Sequence, residues 1–209
     1  MLIKRIINKG IYLSFSVFRL DVLSDMILYN YNLIKMKRTG KRFKKLGVPY
    51  RFGRHNIILN PHFITVGDHF LAMDRLRLEA FDVYGDQQFS PEIIIGDNVI
   101  FNTDCHVGCI NKVIIGNNVL FASKVYVSDH SHGEVNIAAL ALEPAKRKLV
   151  SAGPVIIGNN VWIGEGVCIL PGVEIGDNVI VGANAVVTES LPKNAVAAGV
   201  PAKILRILS

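Results

Sequence analysis

From Ile157 onward an aliphatic residue returns at every sixth position: Ile157, Ile163, Ile169, Ile175, Val181 and Val187. Gly follows four of them, at Gly158, Gly164, Gly176 and Gly182. A helix repeats at about 3.6 residues and a half-buried strand at about 2, so neither alone produces this step. A step of six held over so many turns requires a repeated supersecondary unit. Three strands of about six residues make one triangular coil of about eighteen in a parallel β-solenoid. In that reading the aliphatic residue points into the prism, and the small residue after it lets the chain turn the corner.

The same period, carried backwards, marks where the repeat holds and where it fails. Ile95, Phe101 and Val107 keep the register, as do Ile115, Phe121 and Val127. Ile95 to Ile115 is longer than one coil, which places a small bulge around Ile110–Lys112. After Val127 the register breaks. Ser128-Asp129-His130-Ser131-His132-Gly133 leads into a non-repeating segment that runs to Pro154. A long excursion from a compact repeat is usually functional.

The net charge of +6 belongs to one end of the chain. Residues 1–47 carry eleven basic residues against Asp21 and Asp25, while the rest is net acidic. Within this arm Ile11, Phe15, Phe18, Val22, Met26, Tyr29 and Leu33 recur at steps of three and four, which predicts a helix with one apolar face. That helix either caps the open first coil or lies on an anionic membrane surface, and the two roles are compatible. The expected domains are a basic helical extension over 1–48, a solenoid over 49–196 with an inserted loop at about 128–154, and a C-terminal extension over 197–209. No stretch approaches the length of a membrane span, and the Gly10–Phe18 run lacks a following cleavage site. A cytoplasmic protein, in peripheral contact with the inner membrane through its arm, is the expectation. A nucleic-acid partner is not expected. Cys105, Cys109 and Cys168 form no disulfide framework and read as small core hydrophobes.

Three groups of residues carry a family resemblance: the repeat itself, Gly158-Asn159-Asn160-Val161-Trp162-Ile163-Gly164, and the ending Ala198-Gly199-Val200-Pro201-Ala202-Lys203. They resemble the hexapeptide-repeat acyltransferases over roughly residues 50–206. The stretch from Val113 through Ala122-Ser123-Lys124 to Gly133 most resembles bacterial surface-polysaccharide and lipopolysaccharide O-antigen O-acetyltransferases. The resemblance implies an all-β fold, a left-handed parallel β-helix with an N-terminal helical extension and a protruding active-site loop. It also implies a homotrimer, acetyl-CoA as cosubstrate, a saccharide acceptor and no required metal.

Site residues follow from the same resemblance. The family's catalytic His stands ten positions after the small residue opening the preceding strand. Ala122 plays that part here, and ten positions on is His132. The family's acceptor-binding Asn stands thirty positions before its His, which is Asn102. Counting from His130 reaches Ile100, whose side chain cannot hydrogen-bond a sugar. His132 is therefore the expected general base and His130 the alternative, with Asp129 placed to orient either ring. Trp162 is expected at a corner, beside the thioester end of the cosubstrate. The coenzyme A contacts carry over to Glu165, Ala183, Thr188 and Glu189, with Lys203 and Arg206 near the nucleotide phosphates. Glu165 and Glu189 depart from the family's residue types, and Lys203 supplies charge without a bidentate fork. With no Cys or Ser placed beside the His as nucleophile, direct transfer is expected.

Rival readings remain. The acceptor could be a nucleotide-sugar amine, serine or an antibiotic. A metal-dependent carbonic anhydrase uses the same solenoid with three histidines, and His106, His130 and His132 invite that comparison. A non-catalytic assembly module is a third.

Overall fold

The computed structural model describes residues 40–209 and, before them, 22–24, 26–27, 30–31, 34 and 38. The chain divides into two compact units, Met1–Lys41 and Arg42–Ser209. In the first, the described residues from 22 to 40 are helical, and Asn30 Nδ2 donates to Met26 O at 2.8 Å, one turn back. Val22 and Met26 of the expected apolar face are exposed; Ile11, Phe15, Phe18, Tyr29 and Leu33 lie outside the described residues. Among the described residues no helix is long and apolar enough to cross a membrane.

The second unit is a three-sided prism of short parallel strands. Its first face runs in the order Lys45–Leu46, Ile64–Val66, Glu92–Ile95, Lys112–Ile115, Val155–Ile157 and Glu174–Ile175. Its second runs from Tyr50–Phe52 through Phe70–Ala72, Ile100–Phe101, Leu120–Phe121, Trp162–Ile163 and Ile180–Val181 to Ala195–Ala198. The third comprises Ile57–Leu59, Arg77–Ala80, His106–Cys109, Tyr126–Ser128, Cys168–Ile169 and Val186–Val187. Lys45–Leu46 already pairs with Thr65–Val66, so the coil starts ahead of the boundary expected at residue 49. Beyond Ala198 the chain reverses, and Lys203–Ile207 closes the second face as an antiparallel edge strand.

The six aliphatic residues that define the period are all buried, and so is the residue two before each of the last five: Val161, Val167, Val173, Val179 and Ala185. Each hexad therefore supplies two core side chains, the smaller one at the corner. Higher up, Phe101 and Phe121 take the same column as Ile163 and stack at 4.3 Å. Removing this continuous apolar column from water is the main force holding the coils in register.

The corner glycines have a different reason from the conformational freedom the sequence invites. None of Gly47, Gly67, Gly96, Gly116 and Gly158 has a positive φ. At each, a Cβ would overlap atoms of the next coil's corner, including a side-chain oxygen of Asp68, Asp97, Asn117, Asn159 and Asp177 respectively. Those oxygens accept the next backbone N–H along the corner, as in Asp97 N to Asn117 Oδ1 at 2.7 Å and Asn159 N to Asp177 Oδ1 at 2.6 Å. Glycine is required by close approach. The left-handed positions fall to Asn98, Asn118, Asn160 and Asn178, whose side chains tolerate that region.

Coil lengths locate the irregularities. Ile157 pairs with Ile175, 18 residues on, but Val66 pairs with Ile95, Ile95 with Ile115 and Ile115 with Ile157. The two later departures fall where the period places them. The earliest is absent from the sequence reading: Phe81–Pro91 leaves the coil as a hairpin, with Val83–Tyr84 antiparallel to Gln87–Gln88. All three occur at one edge of the prism, between the third face and the first, as do the smaller irregularities of the first and last coils, where Leu46 pairs with Val66, 20 residues on, and Ile175 with Leu191, 16 on.

Candidate active site

Where the third coil reaches this edge, the chain makes the extra turn Ile110-Asn111 between the strands His106–Cys109 and Lys112–Ile115. Three consecutive backbone N–H groups are left there without strand partners. Asp129, fully buried and one coil later, accepts all three: Ile110 N at 3.0 Å, Asn111 N at 2.8 Å and Lys112 N at 2.7 Å. Burial alone raises a carboxyl's pKa. Here the hydrogen bonds from His130 and from these amides outweigh it and hold Asp129 below its ordinary value.

His130 is oriented by the same carboxylate. Its Nδ1 lies 2.9 Å from Asp129 Oδ1, and its backbone is clasped by Ser128, whose Oγ donates to His130 O at 2.9 Å. With Nδ1–H given to Asp129, the lone pair rests on Nε2. The ring packs edge-on against Phe81 at 5.8 Å and is nearly covered.

His132 is in a different setting. Ser131–His132 pairs antiparallel with Leu149–Val150, so the protruding loop is stapled at its base. The ring is exposed and meets Tyr84, whose hydroxyl lies 3.3 Å from His132 Nδ1 and donates to Ala145 O at 2.7 Å. Gln87 bonds Leu149 twice, through Nε2 to O at 3.1 Å and from N to Oε1 at 2.7 Å. The hairpin that the sequence reading misses therefore braces the loop it does find. The one available signal was the long gap between Val66 and Ile95.

The three histidines of the metal-enzyme rival each face a different partner: Glu79 for His106, Asp129 for His130 and Tyr84 for His132. Among the described residues no three His, Cys, Asp or Glu converge to hold a metal. Cys109 donates to Asp129 Oδ2 at 3.3 Å, and burial together with that carboxylate pushes its thiol far up. Burial raises Cys105 to about 11. Both are locked as thiols at neutral pH and are unsuited to nucleophilic attack.

The remaining site residues lie elsewhere on the prism. Asn102 ends the strand Ile100–Phe101 at the edge between the second and third faces, its Nδ2 donating to Phe121 O at 3.1 Å. Glu165 and Ala183 share that edge; Asn184 N donates to Glu165 O at 2.7 Å. Within one chain Asn102 and the histidines are thus on opposite sides of the third face, separated by the length of its strands. Trp162 is not at a corner. It sits within the strand Trp162–Ile163, outward and half exposed, between Leu120 and Ile180. A strand alternates in and out, so the residue before a core aliphatic must face out. Arg206 and Lys203 stand on the closing strand of the same face, opposite Val196 and Ala198. Thr188 and Glu189 are exposed, and Glu189 reaches Lys203 at 3.6 Å, as Glu165 reaches Lys124.

Residues 154–189 match the family described as bacterial transferase hexapeptide (six repeats). Over 153 residues the chain is 42% identical to WbbJ of Escherichia coli K12, provisionally named a lipopolysaccharide biosynthesis O-acetyl transferase, with 71% of this chain and 74% of that protein covered. A hexapeptide-repeat-containing acetyltransferase of Vibrio cholerae superposes with a TM-score of 0.54 at 25% identity, covering 81% of this chain and 77% of the other. That protein has also been solved with acetyl coenzyme A. A maltose O-acetyltransferase of Clostridium difficile 630 superposes with a TM-score of 0.51 at 28% identity, over 81% and 72% of the two chains.

Proposed function

As the chain belongs to the hexapeptide-repeat acyltransferases, whose fold is the left-handed parallel β-helix, we propose that it moves an acetyl group from acetyl-CoA to a sugar hydroxyl of a bacterial surface polysaccharide or its precursor. The observation that carries the chemistry is the buried Asp129 carboxylate on His130 Nδ1. A hydroxyl is a poor nucleophile at neutral pH, and an imidazole with Nε2 free can take its proton as the oxygen attacks the thioester carbon. The C–S bond then breaks, and His130 returns the proton to the leaving sulfur. Asp129 holds the ring and stabilises its transient positive charge. Transfer is direct in this reading: Cys109, the thiol bonded to Asp129 beside the base, is buried and held as a thiol.

His130 is the base on this geometry, and His132 is the second reading, favoured by its register with Asn102 and by its contact with Tyr84. Trp162, Ile180, Val196 and Arg206 form a strip along the outer side of the second face. It suits a long cosubstrate laid from an aromatic end to a basic one, with Ala183, Glu165 and Lys203 along its margin and Glu189, next to Thr188, reaching Lys203. Asn102, on the far side of the third face from the histidines, meets the acceptor at an interface between chains, in a homotrimer. The basic arm keeps the enzyme at the cytoplasmic side of the inner membrane, near lipid-linked glycan.

The test follows coenzyme A thiol release with purified surface-polysaccharide repeat units, nucleotide-sugar amines and serine as acceptors. Thiol release with ester formation on the glycan is expected. Amide formation on an amine acceptor, with none on the glycan, would overturn the assignment.

A further inference from the structure

Beneath His130 lies a second set of ionisable groups that the transfer chemistry leaves unused. Glu79 pairs with Gly108 and Arg77 with His106 across adjacent strands of the third face. Glu79 points out of the prism, yet it is only 7% exposed. Its Oε2 accepts from Arg77 Nη2 at 2.7 Å and stands 2.8 Å from His106 Nε2. That contact is out of line for a hydrogen bond, and His106 Nε2 is buried with no such partner among the described residues. Burying a carboxylate and an unsatisfied ring nitrogen together is costly, and nothing in the packing of the prism requires it.

Gly108 ties this pair to the base. It lies inside a strand, without a positive φ. A Cβ there would meet His130 Cε1 at 3.3 Å, His106 Nε2 at 3.5 Å and Phe81 Cε2 at 3.8 Å. Its neighbours are side chains, whereas those of the corner glycines are chiefly backbone and corner carboxamides or carboxylates. Glycine inside a strand marks a close approach, and here the approaching groups are the two imidazoles.

We propose that Glu79 is a positioning residue for the transfer reaction: beside His106 and on the Cε1 side of His130, it supplies a second buried negative charge, partly offset by Arg77, that stabilises His130 as it takes up the acceptor's proton. The first is Asp129, on the opposite nitrogen. The inference rests on His130 being the base. No proton passes through Glu79 or His106. The titratable and charged groups packed around the site are Arg77, Glu79, His106, Cys109, Asp129 and, against His106 at 5.3 Å, Tyr126. Burial, and then the charge of Arg77, hold His106 below its ordinary value. His106 is therefore neutral at neutral pH, and Glu79 and Arg77 set the local charge.

The experiment uses the full chain labelled with 15N-histidine and reads the tautomer and titration midpoint of each ring by two-bond 1H–15N correlation. Glu79→Gln should lower the His130 midpoint by about one pH unit, since it removes a nearby negative charge. Arg77→Gln should raise it, since it leaves that charge uncompensated. Both should keep the Nδ1–H tautomer fixed by Asp129. The acidic limb of kcat/KM should move in the same two directions. A merely structural role cannot produce opposite signs. Midpoints that stay put, or move the same way in both variants, overturn the proposal. Should Glu79→Gln fail to fold, Arg77→Gln, at a half-exposed position, decides alone. If midpoints stay put while His130→Ala still abolishes transfer, only the present inference fails. If the midpoints move but the rate profile does not follow, it fails together with the assignment of His130 as base.

Discussion

The coils from Val155 to Ala198 and those from Arg77 to Val150 share a cross-section but treat one edge differently. In the later coils Ile157 meets Ile175 after one 18-residue turn, and every interior position is aliphatic. In the earlier coils the same edge releases a hairpin at Phe81–Pro91, an extra turn at Ile110-Asn111 and a loop from Asp129 to Pro154. The regular coils pair strand to strand, as Ile156–Ile157 does with Glu174–Ile175, and among the described residues they bury no carboxylate. The extra turn frees three amides, and those amides are what allow Asp129 to be buried as an anion and to hold His130. Irregularity in the repeat is thus the physical condition for polar chemistry on an apolar scaffold.

That contrast predicts separable effects. The largest is at the irregular edge: His130→Ala should lower kcat per folded molecule by about 10³-fold, some 4 kcal/mol of barrier, and should also lower the melting temperature, since it takes a hydrogen bond from the buried Asp129. Thiol release with acetyl-CoA and glycan reads it, and His132→Ala, at an exposed ring, should cost no more than about tenfold. A larger loss from His132→Ala would exchange the two roles. In the regular coils, Ile163→Ala should cost about 3 kcal/mol of unfolding free energy while leaving kcat per folded molecule intact. If it slowed transfer as much as His130→Ala, the two regions would not divide the work as described.

Gly158→Ala drives a Cβ into the Asp177 corner and should cost about 2 kcal/mol by chemical denaturation. A variant as stable as the parent would show that conformational freedom, not close approach, selects the corner glycines. Asp129 gives a pH-dependent test. Its folded pKa is depressed, so its stabilisation is complete above about pH 3.9 and is lost as pH falls through the folded value. Asp129→Asn should therefore flatten the acid limb of stability below about pH 4, relative to the parent. An unchanged acid limb would place the acid sensitivity elsewhere. The smallest effect belongs to Tyr84→Phe, which removes the hydroxyl bridging His132 and Ala145. About a threefold change in kcat/KM is expected, within the modest worth of a single neutral hydrogen bond.

Much of the fold was open to reading because the core is periodic. Ile157 through Val187 reports the prism directly, and the count also finds the bulge before Lys112 and the break after Val127. Phe81–Pro91 escaped it because a hairpin of mixed residues between Ala80 and Pro91 has no period to violate. Trp162 was misplaced at a corner for a related reason: counting by six fixes the core residue of each strand, while its outward neighbour follows from strand alternation. The histidines stand out as polar residues at a break. Their partners do not, because Asp129 meets amides some twenty positions away and Glu79 meets a ring twenty-seven positions on.

By itself the sequence determined the number of faces, the core column and the edge at which the chain departs from its repeat. Those depend on local spacing, and burial of an aliphatic residue every sixth position admits few alternatives. Only the tertiary structure decided that Asp129 is buried, that it joins the extra turn to His130, and that Asn102 stands across the third face from both histidines. Those relations arise between coils, where the number of intervening residues varies from turn to turn. They are set by which amides, carboxylates and rings happen to fall in register.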